Sequence, residues 1–278
     1  MVGSTPLQGD VFEGNRAVSR VAFSVAVGPG GSRRRRVHEA GAQRVRFPNG
    51  NPQVALDAVL VNTAGGMTGG DRFDVDIDVG AAAHLTITTA AAEKIYRSLG
   101  PDTEFAARLD VGSGGALKWL PQETILFDRG RLRRSVDIAL ARDAKLLLAE
   151  ATVFGRSAMG ETVGEGRLID HRRLRVDGAL VFAESNRLDG EIGQRLTRRA
   201  VTFGGVGAAS VIKWPGHEAD AEAVRAKQND YTGEVGISAW NGFAVARLVA
   251  PDGAALRRDL TTVLMALDAG PLPRLWLN

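Results

Sequence analysis

The sequence predicts a mainly β protein: a large stacked β-sheet body, β-helix-like, with a small C-terminal α+β portion carrying two helices. Three observations carry this. From about residue 54 to 190, apolar and polar residues alternate with the period of half-buried strands, as in Val75, Ile77 and Val79 against Asp74, Asp76 and Asp78. A strand–turn–strand pattern recurs every 30–35 residues or so, a spacing that suits stacked β units. In the last third, two segments switch to helical periodicity.

Before the repeat stands Leu60-Val61-Asn62-Thr63-Ala64-Gly65-Gly66-Met67-Thr68-Gly69-Gly70-Asp71. Four glycines in six residues, Gly65, Gly66, Gly69 and Gly70, predict a folded-back loop with exposed backbone amides, closing on Asp71. The repeat turns centre near Gly80, Gly112, Arg142 and Asp177. The second arms are His84–Thr89, Ala116–Leu120, Lys145–Ala149 and Ala179–Ala183. Gly216 to Asn229 reads as a helix, with acids early and bases late as the helix dipole favours. Val235–Ala239 and Phe243–Leu248 form a hairpin over Trp240-Asn241-Gly242. Gly253 to Ala269 is the second helix, its apolar face made by Leu256, Leu260, Val263, Leu264 and Leu267. The apolar segment Pro271-Leu272-Pro273-Arg274-Leu275-Trp276 reads as a surface for a partner. No linker is long enough to divide the chain, so residues 1–278 form one domain, with a β body over about 15–200 and the α+β portion over about 201–278.

Composition removes several functions. With 278 residues, 44% hydrophobic and 24% charged, the chain is an ordinary globular protein. No apolar run approaches a membrane span, and Met1–Pro6 has no secretory pattern. The absence of cysteine excludes disulfides, thiolate catalysis and thiolate metal sites, and fits a reducing cytoplasm. A net charge of +3, and an Arg33–Arg36 run without interleaved aromatics, give no case for nucleic acid.

The glycine loop ends in Gly70-Asp71-Arg72, not the Gly-Lys-Ser/Thr of a phosphate loop, and an aspartate there repels phosphate. Asp74, Asp76 and Asp78 lack the glycine and glutamate of a calcium loop, and read as the wet face of one strand. His38, His84, His171 and His217 have no metal-ligand spacing. The carboxylates that follow the second arms stand out: Glu93, Glu123, Glu150 and Glu184. Stacking would bring such positions together, with Asp71 near them. The acids could line an internal passage, where oxygen ligands hold a divalent ion loosely enough to release it. The alternative is that each is simply the first solvated residue of its strand.

Asn62–Asp71, Ala92-Glu93-Lys94-Ile95-Tyr96-Arg97-Ser98, Trp119-Leu120-Pro121-Gln122-Glu123, Leu147-Leu148-Ala149-Glu150, Phe154-Gly155-Arg156 with Met159-Gly160-Glu161, and Pro273-Arg274-Leu275-Trp276 together resemble the UreD (UreH) family of urease accessory proteins, from about Phe47 to Asn278. The resemblance implies a predominantly β fold with two helices and no catalytic residues. It implies a nickel-insertion chaperone: a scaffold that binds UreF, recruits the GTPase UreG through it, and docks on apo-urease, with a dimeric assembly in that complex. No tightly bound cofactor is implied. Nickel(II) would cross an acidic internal path, with Asp71, Glu150 and Glu184 as transient ligands. Two other readings stay open: a purely structural adaptor without a metal path, and a β-fold hydrolase using paired carboxylates.

Overall fold

The computed structural model describes residues 16–49, 55–156, 159–268 and 270–277. Met1–Pro6, Ala269 and Asn278 lie outside them. Seventeen strands among the described residues form two sheets. The seven-stranded sheet has the order β14-β13-β11-β8-β5-β1-β2: Ala179–Gly190, Gly166–Val176, Arg131–Leu140, Thr103–Val111, Arg72–Val79, Val18–Gly28 and Gly31–Ala40. The ten-stranded sheet runs β16-β17-β15-β12-β9-β6-β4-β3: Glu234–Trp240, Phe243–Ala250, Gly207–Trp214, Lys145–Phe154, Ala116–Leu120, His84–Thr89, Leu56–Asn62 and Gln43–Arg46. Two short strands branch off it, β10 (Thr124–Leu126) and β7 (Glu93–Ile95).

The predicted repeat is real. The pairs β5–β6, β8–β9 and β11–β12 each place one strand in the seven-stranded sheet and the next in the ten-stranded sheet. Successive units stack in parallel, β5 on β8 on β11 and β6 on β9 on β12. Parallel neighbours need a crossover, and here the opposite sheet supplies it. As expected, Phe73, Val75, Ile77 and Val79 of β5 are buried while Asp74, Asp76 and Asp78 face outward.

The fourth unit departs from expectation. Its second arm does not cross to the ten-stranded sheet but returns as β14, antiparallel to β13 in the same sheet. The turn decides this. Asp177 and Gly178 both have positive φ (48° and 81°), the two-residue geometry that closes a hairpin. The crossing turns between the paired strands are longer: residues 80–83, 112–115 and 141–144. The place beside β12 that a fourth rung would fill is taken by antiparallel β15.

The main apolar core lies between the sheets, around Phe23, Ile77, Trp119, Ile138 and Leu174. A second core lies on the other face of the ten-stranded sheet, beneath the two expected helices, α2 (Glu218–Arg225) and α3 (Gly253–Leu267). A shorter helix, α1 (Ile192–Leu196), has no counterpart in the sequence reading. The apolar face of α3 is the one the sequence indicates, and Asp252 caps it by accepting from the Ala255 amide. The C-terminal segment is only partly free for a partner: Leu272 and Trp276 pack on the second core, while Pro271 and Arg274 are exposed. Trp276 is buried, its Nε1 donating to Leu120 O (3.0 Å) and Thr88 Oγ1 (3.2 Å), and Arg257 lies over its ring. No described helix is long and apolar enough to cross a membrane.

Candidate functional site: two cavities meeting at a buried ion network

Strand parity creates the site. In β11, Leu132, Val136, Ile138 and Leu140 point into the core, and Arg134 occupies an inward position among them. In β13, Asp170 and Arg172 interrupt the inward row of Leu168, Leu174 and Val176. From the facing sheet, β12 presents Glu150 on the same side as Leu146 and Leu148. Charges so placed must find partners, since isolated buried ions are prohibitive.

They find one another. Arg134 donates through Nε and Nη2 to Asp170 Oδ1 (3.1 Å) and Oδ2 (2.7 Å), while its Nε also lies 3.0 Å from Glu150 Oε2. Arg172 donates to Asp170 Oδ2 (2.5 Å) and to Glu184 Oε2 (2.6 Å). Glu184 also pairs with Arg247 of β17, whose Nη1 donates to Ser210 Oγ (3.2 Å). Trp119 Nε1 donates to Glu150 Oε1 (3.1 Å). Three acids and three arginines thus bridge the two sheets with no net charge. Burial pushes the Asp170 carboxyl up, but Arg134 and Arg172 more than offset it and hold it below the ordinary range. Burial alone would lower the Arg134 pKa; Asp170 and Glu150 reverse this and raise it.

Two cavities meet at this network, and both are lined by Arg134 and Glu150. The first, about 160 Å³, runs from the glycine loop and Glu93 past Met67 and Trp119. The second, about 590 Å³, continues past Asp170, Arg172 and Glu184 to Arg187 and Arg247. Each far exceeds the space one water needs, roughly 10–15 Å³.

The expected carboxylates are therefore divided. Glu150 and Glu184 come together, through Arg172 and Asp170 and from opposite sheets rather than along one stack. Glu93 lies in the first cavity, its Oε1 accepting from Asn62 Nδ2 (2.9 Å), and burial pushes its carboxyl up to about 7. Glu123 turns away and pairs with Arg257 of α3 (3.0 Å). Asp71 lines neither cavity. Its two oxygens accept the amides of Ala17 (2.9 Å) and Thr68 (2.8 Å), so asparagine there would keep only one acceptor. Contrary to expectation, most of the loop's amides are not free: those of Ala64, Gly65, Met67, Thr68, Gly70 and Asp71 are spent on the chain itself. Among the described residues, no group of three or more His, Asp or Glu is placed to hold a metal ion.

Arg134, Asp170 and Arg172 are absent from the sequence-based candidates, although the sequence holds their signal. Each is a charge at the apolar parity of an alternating strand.

A profile described as UreD urease accessory protein matches residues 16–277. The chain belongs to the UreD family. UreD of Rhodopseudomonas palustris strain HaA2 is 55% identical over 268 residues, covering 96% of each chain. UreD of Bradyrhizobium diazoefficiens is 53% identical over 268 residues, again covering 96% of each. Both are named urease accessory proteins, and the match spans nearly the whole length of the chain.

Proposed function

We propose that this chain is a non-catalytic scaffold for urease maturation, which binds UreF, recruits UreG through it, docks on apo-urease and passes nickel(II) through its interior. The observation that carries the path is the pair of cavities sharing Arg134 and Glu150. End to end they run from the glycine loop to the Arg247 face, between the two sheets. Carboxylates stand along the way: Glu93 in the first cavity, Glu150 where the cavities meet, and Asp170 and Glu184 in the second. Oxygen ligands suit a cargo that must leave again, since nickel prefers imidazole or thiolate. The zero net charge of the network fits transit better than storage.

Catalysis finds no support here. The sequence has no phosphate loop of the Gly-Lys-Ser/Thr kind, which leaves GTP chemistry to UreG. The paired carboxylates that a hydrolase would use are engaged by arginines.

The test is urease nickel content after co-expression with the urease genes. Omitting this chain should leave urease largely without nickel. The double variant Glu150→Gln, Glu184→Gln should lower nickel content at least about fivefold while UreF still co-purifies, because a divalent ion needs oxygen charge along a low-dielectric route. Full nickel content with the double variant would remove these acids from the path and leave the structural adaptor.

A further inference from the structure

We propose that Arg134 is a tethered cation that closes a divalent-cation site between Glu150 and Asp170, so that nickel passes only when this guanidinium turns aside. The proposal rests on the path reading above and adds the residue that controls it.

One guanidinium holds two carboxylates from opposite sheets: Asp170 through two hydrogen bonds of 3.1 and 2.7 Å, and Glu150 through an ion contact of 3.0 Å. All three residues are at most 5% exposed. The contact with Glu150 is the weak link. Glu150 Oε2 accepts no hydrogen bond although it is buried, because the Arg134 Nε–H is directed at Asp170. A buried carboxylate oxygen lacking a donor, on the wall of both cavities, is an open ligand position. With Arg134 withdrawn, Glu150 Oε2 and Asp170 Oδ1 would be left for a divalent ion, Glu150 Oε1 staying with Trp119 and Asp170 Oδ2 with Arg172, and the network would carry one unbalanced negative charge. With Arg134 in place the charges cancel, and nothing retains the ion. The cavities on either side give the side chain room to turn.

The test uses the full chain and nickel(II) alone, read by equilibrium dialysis and by the nickel-induced rise in melting temperature. Arg134→Met should bind one nickel at least about tenfold more tightly than the unaltered chain. Arg134→Met with Glu150→Gln should lose that gain. Binding by Arg134→Met no tighter than the unaltered chain, or a double variant that binds as well as the single one, would overturn the proposal. Removing one partner of a buried pair is strongly destabilising. If Arg134→Met does not fold, Arg134→Lys carries the test: its ammonium is a point charge that cannot span both carboxylates. Nickel binding should then rise at least about threefold, and no rise overturns the proposal. The readouts separate the two claims. Tight nickel binding by Arg134→Met alongside normal urease loading by the Glu150→Gln, Glu184→Gln double variant would keep the site and remove the path.

Discussion

Glu93 faces the first cavity, where Asn62 Nδ2 and the Lys94 backbone help to hold its charge. Burial dominates, outweighing those bonds and the nearby Lys94 charge, and brings the carboxyl to about 7 from an ordinary 4.5. The sign of the consequence is fixed. A folded-state pKa above the unfolded one leaves stability intact below about pH 4.5, and that stability is lost as pH rises through about 7. Glu93→Gln keeps an acceptor for Asn62 and removes the ionisation. It should stabilise the fold at pH 8 by on the order of 2 kcal/mol, after allowance for partial exposure, and change little at pH 4. Urea unfolding midpoints at the two pH values check this, and an equal effect at both would contradict it. A carboxylate that changes charge near neutrality could be found only by its burial, and the period of its short strand says nothing of that.

The glycine loop shows what an element owes to its neighbours. Its spacing announces a tight fold-back, and that is legible because only glycine suits it. Which glycine matters for which reason is not, because the reasons lie in the residues 94–101 packed against it. A Cβ on Gly69 would come within 1.9 Å of Ser98 Oγ and 2.4 Å of Pro101 O, whereas one on Gly65 would meet nothing within 4 Å. Gly65 instead needs glycine for its φ of +76°. Gly65→Ala should therefore cost about 1–2 kcal/mol of backbone strain. Gly69→Ala must also force the loop away from the 98–101 backbone and should cost more, about 3 kcal/mol or above. Thermal unfolding of the two variants decides, and equal losses would contradict the packing argument. The repeat shows the same division. Alternation locates the strands, since period two is local, but the two-residue turn at Asp177-Gly178 decides that β14 folds back. The Asp-Gly pair is a hairpin signal that the repeat period of about 30–35 residues alone passes over.

At the scale of the whole molecule, the sheets bring together residues that no local pattern joins: Glu150 of β12 and Asp170 of β13, held by Arg134 of β11. The acids Glu150 and Glu184 are legible as carboxylates that follow apolar runs, although both lie inside their strands, β12 and β14, rather than at the ends. Arg134 and Arg172 leave a signal too, as charges at apolar parity, but which acid each one meets is not legible, because the two sheets meet face to face and the sequence records neither the register nor the pairing across that gap. Asp71 is the reverse case: prominent in sequence, and occupied in the fold by two backbone amides. If cargo passes along the first cavity into the second, a single engineered thiol can block it, because the sequence has no cysteine of its own. Ala92 lines the first cavity near Glu93. Ala92→Cys, plugged with a bulky reagent through a reducible disulfide, should stop nickel transfer to apo-urease in the reconstituted assembly. Reduction should restore transfer, with UreF binding unchanged throughout. Transfer by the plugged chain at the unplugged rate would contradict an internal route.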